Sequence, residues 1–379
     1  MVPEFIKFVK ELYKSNSVPL HVPVFTGNEK KYLNECIDTT FVSYVGRFVT
    51  LFEEKISAYT GAKYAVAVVN GTCALEIALK LCDVKPGDEV LTQSLTFVAT
   101  SNAIAYCGCN HVFIDSEKNN LGMCPDKLED FLNKNGEIRN DGFCYNKKTN
   151  NKISACVPVH IFGHPCLIDR INIICKKYNI IVVEDAAESI GSTYFKKHTG
   201  TFGKVAILSF NGNKTITTGG GGMIITNDEL IAKKAKHITT TAKVPYSYEF
   251  FHDELGYNYR MTNVNAAIGC AQMEKIDEYI ANKRNTAALY NTFFAKSGIE
   301  FFTEKENCFS NYWLNVIFLK DRHERNSFLK LTNENGVMTR PAWTLMNKLP
   351  MYKNCLQTNL ENAQWLEDRL VNIPSSVIL

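Results

Sequence analysis

The stretch that decides the fold is residues 182–226, VVEDAAESIGSTYFKKHTGTFGKVAILSFNGNKTITTGGGGMIIT. It contains three apolar runs that predict β-strands, and each is bounded by polar or glycine residues. An acidic pair ending in Asp185 stands where the first strand ends, and Ser209 stands where the second ends. Lys214 follows in a loop, and glycines 219–222 precede the third run. Because ligands of open α/β sheets bind outside the carboxyl ends of the strands, we expect these residues to share one site.

A carboxylate, a hydroxyl and a lysine on a glycine-rich loop suit pyridoxal 5'-phosphate (PLP). This cofactor requires a lysine that bonds it covalently, an acidic partner for its pyridinium nitrogen and donors for its phosphate. Lys214, Asp185 and Ser209 match these requirements in that order. Taken singly, each has an ordinary interpretation, since loop lysines are usually solvated and an Asp after a strand commonly caps a helix. The combination predicts a PLP site with Lys214 as its catalytic residue.

A second unit of the chain predicts an anion site. Residues 64–69 form an apolar strand, Gly71 and Thr72 form a tight turn, and residues 73–81 continue as an apolar helix. A strand, a glycine turn and a helix direct free backbone N–H groups and the positive end of the helix dipole at one point. Alone, this would be an ordinary turn capped by Thr72; beside the Lys214 region, it nominates Gly71 and Thr72 as phosphate ligands.

The order of the predicted elements indicates an α/β fold. Strands alternate with helices of 10–15 residues from position 64 to 226, which favours a mostly parallel sheet covered by helices. The expected division is an N-terminal helical extension over residues 1–19, a large PLP-binding domain over 20–255 and a small C-terminal domain over 256–379.

The composition is ordinary for a globular protein. The 379 residues are 45% hydrophobic and 21% charged, with a net charge of +3, so neither nucleic acid nor a membrane surface is indicated as a partner. No run approaches the roughly 18 apolar residues of a membrane span, and the first residues lack the apolar core of a signal peptide. The 13 cysteines are scattered, without the spacing of a zinc site. We expect a cytoplasmic protein with reduced thiols and no metal.

The central stretch resembles the DegT/DnrJ/StrS-type sugar aminotransferases, whose EDAAxxxG, SF…K and TTGxGG elements occur in order over a resemblance spanning about residues 20–345. It implies a PLP-dependent aminotransferase fold of type I with a smaller C-terminal α+β domain. It also implies that Phe97 stacks on the cofactor and that Glu188 faces the cofactor ring. Asn258, in the motif GYNYRM, is implied to reach the cofactor phosphate of a neighbouring subunit, in a homodimer with shared sites.

Three further residues are expected to contact the substrate. They are His160 at the end of a predicted strand, Arg260 in GYNYRM and Trp343, which would face the cleft by analogy with the family. One position departs from the family pattern, because Gly220 stands where many relatives carry Glu.

Three sequence motifs are most similar to those of the 4-aminotransferases of legionaminic acid biosynthesis. They are EDAAES, HTGTFG and SFNGNKTITTGGGGM. This implies transfer of an amino group, with L-glutamate as the expected donor, to C4 of a UDP- or GDP-linked 2-acetamido-4-keto-2,6-dideoxyhexose for a surface glycan such as an O-antigen. GDP-4-keto-6-deoxymannose, for perosamine, and 8-keto-octulosonate stay open as alternative acceptors. A sugar dehydratase of this fold is disfavoured because such enzymes replace the lysine with His. A non-catalytic regulator is disfavoured because Asp185, Ser209 and Lys214 are all present.

Overall fold

The fold is described from a computed structural model covering residues 1–246 and 248–379. The α-helices in this part of the chain are α1 (Val2–Tyr13), α2 (Glu29–Asp38), α3 (Arg47–Thr60), α4 (Gly71–Leu81), α5 (Val98–Tyr106), α6 (Pro125–Asn135), α7 (Ile168–Lys177), α8 (Glu229–Thr239), α9 (Asn263–Met273), α10 (Ile276–Phe294), α11 (Arg322–Glu334) and α12 (Glu361–Arg369).

The strands are β1 (Tyr64–Val68), β2 (Glu89–Gln93), β3 (Asn110–Ile114), β4 (Gly136–Ile138), β5 (Cys144–Asn146), β6 (Ile153–Val157), β7 (Ile181–Asp185), β8 (Thr193–Tyr194), β9 (Lys197–His198), β10 (Val205–Ser209), β11 (Gly222–Thr226), β12 (Lys243–Val244), β13 (Phe251–His252), β14 (Glu300–Phe301), β15 (Cys308–Phe309), β16 (Asn315–Phe318), β17 (Arg340–Pro341), β18 (Leu356–Gln357) and β19 (Leu370–Ile373).

An eight-stranded sheet in the order β1-β11-β10-β7-β6-β2-β3-β18 forms the centre of the molecule. Strand β11 runs antiparallel to both of its neighbours, whereas the pairs from β10 to β18 are all parallel. All five residues of β10, Val-Ala-Ile-Leu-Ser, are buried. Strands covered on both faces read as continuous apolar runs, which is why these strands could be located in the sequence. The predicted mostly parallel sheet is confirmed.

Helices cover both faces of this sheet. Helix α4 packs with α5 and α8 in one apolar cluster that includes Leu75, Ile104 and Ile231. Helices α3 and α9 form a second cluster that includes Phe52 and Ala267, and helices α6 and α7 belong to a third. Burial of these apolar faces fixes the helices that begin at the strand ends, and so fixes the loops between them.

A four-stranded antiparallel sheet, β14-β16-β19-β17, forms the smaller C-terminal α+β part. Helix α1 packs against this part rather than against the large sheet, because the ring of Phe5 contacts those of Tyr290, Phe294 and Phe328. Helix α9 instead packs on α2 and α3, and β18 joins the edge of the large sheet. The boundaries at residues 19/20 and 255/256 stay a prediction.

The polar segment between β3 and β6 is held to the large sheet. Strands β4 and β5 pair as a hairpin. Beside it, the carboxylate of Glu89 in β2 accepts hydrogen bonds from Asn146 Nδ2 at 2.8 Å and Thr149 Oγ1 at 2.6 Å. Asn146 is buried. The asparagine- and lysine-rich composition predicts an exposed loop here, but a buried carboxylate requires donors, and the segment supplies them.

Candidate active site

A cavity of about 310 Å³ opens at the carboxyl ends of the central strands. Asp185 ends β7, Ser209 ends β10, and Gly71 begins α4 after β1. The residues that line the cavity are Asn70, Gly71, Thr72, Leu75, Thr96, Phe97, Ala99, Thr100, Val159, Asp185, Ala187, Glu188, Ile207, Ser209, Asn211, Asn213, Lys214, Trp313 and Trp343. A larger open groove of about 610 Å³ runs along α1 and is lined by exposed or half-buried lysines. The buried titratable groups identify the cavity at the strand ends as the candidate active site.

Lys214 is held between a carboxylate and an aromatic ring. Its side chain is 11% exposed, and its Nζ lies 3.4 Å from Glu188 Oε1. The same Nζ lies 3.8 Å from the centre of the Trp313 ring. Glu188 Oε2 accepts a 2.7 Å hydrogen bond from the amide of Phe162. Burial raises the pKa of Glu188, and the Lys214 ammonium opposes this rise. A carboxylate with a raised pKa is suited to exchanging a proton with the lysine.

Asp185 faces the same cavity from the end of β7. Its Oδ2 accepts a 2.8 Å hydrogen bond from Thr100 Oγ1, and its Oδ1 accepts a 3.1 Å bond from the amide of Ala187. Burial raises the pKa of Asp185, and the bond from Thr100 lowers it in part. Both hydrogen-bond partners are neutral, so the carboxylate retains a strong preference for a cation.

The start of α4 forms one corner of the cavity. The side chain of Asn70 accepts a 2.8 Å hydrogen bond from the amide of Cys73, so Asn70 caps the helix, which leaves Thr72 free of the capping role that the turn alone would suggest. The amides of Gly71 and Thr72 precede the first helical hydrogen bonds and have no intrahelical acceptor. A Cβ at Gly71 would lie 3.0 Å from Cβ of Ser209, so glycine keeps this corner open beside the serine hydroxyl.

The positions of the glycine run 219–222 differ in how strictly they require glycine. A Cβ at Gly222 would lie 2.4 Å from the carbonyl oxygen of Asn70, and Gly219 has φ +81°. At Gly220 a Cβ would meet only the carbonyl oxygen of Val69, at 3.9 Å. Glycine is therefore needed at 222 for close approach to the start of α4. Position 220 has room for a side chain.

Aromatic rings form the outer wall of the cavity. Phe97 precedes α5 and is 49% exposed. Its ring centre lies 5.9 Å from that of Trp343, which in turn lies 4.9 Å from that of Phe162. Both Phe97 and Trp343 line the cavity, which is where the family resemblance implies that they lie. An exposed ring at the mouth offers a flat apolar surface to a planar or sugar ligand.

His160 does not reach the cavity. It is fully buried, and its Nε2 lies 2.9 Å from Glu184 Oε2. The amide of Cys166 donates a 3.2 Å hydrogen bond to His160 Nδ1, so the ring donates from Nε2 to Glu184. The preceding residue, Val159, lines the cavity instead. The substrate role expected for His160 is not met, because successive residues of an extended segment face opposite sides.

The two GYNYRM residues also lie outside the cavity of this chain. Arg260 is buried, with its guanidinium bonded to Glu53 Oε1 at 2.7 Å and to the carbonyl oxygen of Ala67 at 2.9 Å. This internal ion pair holds Arg260 away from the cavity of this chain, contrary to the substrate contact expected from its motif. Asn258 is exposed, and its backbone forms an antiparallel bridge with Thr240.

Two residues of the site have a signal too weak for sequence reasoning to nominate them. Thr100 supports Asp185 from the first turn of α5, and a Thr inside an apolar helix has many ordinary explanations. Trp313 lies in a run that predicts a buried strand, so its sequence context is that of a core residue. Only the arrangement in space identifies these two as neighbours of Asp185 and Lys214.

Comparison with known proteins supports the family that the sequence motifs indicate. The model of the DegT/DnrJ/EryC1/StrS aminotransferase family matches residues 24–379. The chain belongs to this family. It is 36% identical over 360 residues to the GDP-perosamine synthase of Escherichia coli O157:H7, with 94% of this chain and 93% of that protein covered. It is 36% identical over 338 residues to EpsN of Bacillus subtilis (strain 168), whose name refers to pyridoxal phosphate, with 89% and 84% covered.

A solved structure supports the fold. The PLP-form of Spr1654 from Streptococcus pneumoniae is 22% identical, with a TM-score of 0.84 over 95% of this chain and 93% of that one. The predicted aminotransferase fold is confirmed. As a member of the family, the protein is a PLP-dependent sugar aminotransferase, and PLP is its cofactor. Among the described residues, no helix combines the length and apolarity needed to cross a membrane.

Proposed function

We propose that this aminotransferase moves an amino group from L-glutamate to C4 of a nucleotide-linked 4-keto-6-deoxyhexose. The observation that carries the proposal is the convergence of Lys214, the Asp185 carboxylate and the start of α4 on one cavity. The leading acceptor is the UDP- or GDP-linked 2-acetamido-4-keto-2,6-dideoxyhexose of legionaminic acid-type pathways. The similarity of the sequence motifs to the aminotransferases of those pathways supports this choice. GDP-4-keto-6-deoxymannose is the second candidate, favoured by the name of the E. coli relative.

The residues of the cavity fit PLP. Asp185 is buried against neutral donors, so a protonated pyridine nitrogen would offset the free-energy cost of burying its charge. The first amides of α4 and the Ser209 hydroxyl can donate to a phosphate, and the missing Cβ of Gly71 leaves room for one. Phe97 offers a ring to stack on the cofactor face. Bound there, PLP supplies an electron sink and a carrier for the amino group.

Lys214 and Glu188 together provide the proton chemistry of the site. The ammonium of Lys214 can give a proton to Glu188 Oε1, 3.4 Å away, since burial raises the pKa of this carboxylate. The neutral amine is then a nucleophile and a base inside the cavity. Glu188 stays in place while it takes and returns the proton, because the Phe162 amide holds its other oxygen.

Charge balance supports a homodimer with shared sites. Both ligands of the reaction are anionic, as is the cofactor phosphate. Among the described residues that line the cavity, Lys214 is the one cation, beside the carboxylates of Asp185 and Glu188. A partner subunit would supply the missing donors. The exposed side chain of Asn258 is the candidate donor from the partner, and the exposed apolar residues Phe250 and Leu255 nearby in sequence suit an interface. The homodimer and the cytoplasmic location stay predictions.

The acceptor is tested by steady-state kinetics with purified protein and L-glutamate. UDP- and GDP-linked 2-acetamido-4-keto-2,6-dideoxyhexoses are compared with GDP-4-keto-6-deoxymannose, and the 4-amino product is identified by mass spectrometry. The proposal expects one of these sugars to exceed the others in kcat/KM by roughly 100-fold, as hydrogen-bonded discrimination allows. Turnover of 8-keto-octulosonate alone would contradict amination at C4.

Shared sites are tested by mixing two inactive variants, Lys214→Ala and Asn258→Asp, under conditions that exchange subunits. If Asn258 acts across the interface, one site of each mixed dimer has both native residues, and activity returns to about a quarter of wild type. If both residues serve the same chain, every site keeps one lesion and mixing restores nothing. Mixed dimers are verified by native mass spectrometry, so an absence of recovery would reject the shared site.

A further inference from the structure

Trp313 contacts the Lys214 segment at two points. Its ring centre lies 3.8 Å from Lys214 Nζ. Its indole Nε1 donates a 2.6 Å hydrogen bond to the carbonyl oxygen of Asn213, the residue before the lysine. Trp313 itself is 4% exposed. The indole therefore contacts both the backbone of this loop, at Asn213, and the side-chain amino group of Lys214.

Trp313 is in turn fixed by its own backbone. Its amide donates a 2.7 Å hydrogen bond to Asn311 Oδ1, and its carbonyl accepts one of 3.2 Å from the buried Lys283. Asn311 also donates to the carbonyl oxygens of Glu188, at 3.0 Å, and Ile190, at 2.9 Å. The segment that carries the indole is thus bonded to the segment that carries the Glu188 carboxylate.

The two partners of the Lys214 ammonium act differently on its two protonation states. An aromatic face attracts an ammonium through the ring quadrupole and gains little from a neutral amine. The attraction is strongest where water is excluded, and the Lys214 side chain is 11% exposed. Glu188 can take the proton of Lys214, whereas Trp313 cannot. The ring therefore favours the charged lysine and keeps it within reach of Glu188.

We propose that Trp313 is a positioning residue that holds the free ammonium of Lys214 beside Glu188 whenever the lysine is not bonded to the cofactor. This inference rests on the proposed function, because it gives Lys214 the role of the catalytic lysine. A tryptophan that only fills the core would need no ring face toward the lysine and no hydrogen bond to the lysine's own loop. Both contacts are present.

The test measures the chemical reactivity of Lys214 in the full-length protein after removal of the cofactor. Lysines are labelled with a trace of acetic anhydride, which reacts with neutral amines, and each site is quantified by peptide mass spectrometry. Trp313→Leu removes the ring face, whereas Trp313→Phe keeps it. We expect Lys214 to react roughly fivefold faster in the Leu variant, the ratio for a cation–π interaction of about 1 kcal/mol. The Phe variant should stay within about twofold of wild type, because a phenyl face also attracts cations.

Two controls come from the same experiment. Lys283 is 1% exposed and donates to the carbonyl oxygens of Trp313 and Ser375, not to the Trp313 ring, so its labelling reports loss of fold. Trp343→Leu removes another indole of the same cavity and should leave the labelling of Lys214 unchanged. Equal acceleration of Lys214 and Lys283 in the Leu variant would overturn the inference, as would equal rates in the Leu and Phe variants.

Borohydride reduction of the holoenzyme separates this inference from the proposed function. If the cofactor is trapped on Lys214 and the Leu variant labels like wild type, the role of Trp313 fails while the proposed function stands. Trapping on another lysine would overturn both. Trapping on Lys214 together with faster labelling in the Leu variant alone supports the inference.

Discussion

Two adjacent residues at the end of β7, Glu184 and Asp185, show how a structural carboxylate differs from a functional one. Both are buried and point to opposite sides of the strand. Glu184 accepts hydrogen bonds from the amides of Gly200 and Phe202 at 2.8 and 2.7 Å. It also accepts one from the ring Nε2 of His160. Asp185 has two neutral donors and faces the cavity.

The pKa values of the two groups move in opposite directions. Burial alone would raise the pKa of Glu184, but the bonds from His160 and the loop amides bring it below its usual value. Burial raises the pKa of Asp185, and its fewer donors do not overcome this. The carboxylate of Glu184 stabilises the loop after β9, whereas that of Asp185 faces the cavity with no cation among its hydrogen-bond donors. Hydrogen-bond saturation, rather than burial, separates the two roles.

The largest expected effect is on the cavity side, where Lys214→Ala removes the cation beside Asp185 and Glu188. Transamination should fall by more than about 10³-fold, because the nucleophile and proton carrier is lost. Borohydride should no longer trap PLP on the protein. The matched control is Lys204→Ala, which removes an exposed lysine paired with Asp228 and should leave both measurements unchanged. PLP trapped at full yield in Lys214→Ala would contradict the assignment.

Asp185→Asn should lower kcat by about 10²- to 10³-fold, because a neutral amide cannot keep the pyridine nitrogen protonated. The same change should raise the stability of the cofactor-free protein near pH 7 by about 1 kcal/mol, because a buried charge that its neutral donors compensate only in part is removed. The folded-state pKa of Asp185 is raised, so ionisation costs stability as the pH rises through it. Chemical unfolding of the cofactor-free wild type and variant at pH 4 and pH 7 measures this sign.

Glu188→Gln provides the comparison for that variant. An amide at 188 can still accept from the Phe162 amide, so we expect kcat to fall by only about tenfold, through loss of proton exchange with Lys214. Equal losses in Asp185→Asn and Glu188→Gln would show that the two carboxylates share one role.

On the opposite side of β7, Glu184→Gln should behave in the reverse way. The free energy of unfolding should fall by about 3 kcal/mol, since an amide NH₂ would face amide donors in a closed site. The folded protein should keep its kcat within a few-fold. The folded-state pKa of Glu184 is lowered, so its contribution is present above the unfolded pKa and is lost as the pH falls through the folded value. The stability difference between variant and wild type should therefore shrink in acid. A loss of kcat without a loss of stability would contradict the structural role.

Local sequence patterns were sufficient for the sheet and for the side of the site built on it. The continuous apolar runs of β7 and β10 mark buried strands, and parallel strands bring their carboxyl ends to one edge. Asp185, Ser209 and Gly71 therefore had to lie together. The alternation of strands and helices also indicated a mostly parallel sheet, but the order of the strands depends on packing between residues far apart in the chain.

The sequence could not predict residues whose role depends on which side of an extended segment they face, or on contacts with distant parts of the chain. His160 and Val159 are neighbours at the end of one extended segment, and only the observed register shows that Val159 lines the cavity. Arg260 carries the charge that a substrate would need, but Glu53, 207 residues away in the chain, pairs with it. Trp313 has the sequence context of a core residue and becomes part of the site only because its segment bonds to that of Glu188.

The smallest expected effect lies in the glycine run, where filled and open surroundings occur two residues apart. Gly220→Ala should change the free energy of unfolding by less than about 0.5 kcal/mol, because its Cβ would meet only the carbonyl oxygen of Val69 at 3.9 Å. Gly222→Ala is the matched contrast, since its Cβ would lie 2.4 Å from the carbonyl oxygen of Asn70. That variant should lose about 2 kcal/mol or more by overpacking, and PLP affinity should fall with the displaced start of α4. Equilibrium unfolding and PLP titration of both variants measure the difference. Similar losses at the two positions would show that the run is needed for backbone freedom throughout, rather than for close approach at 222.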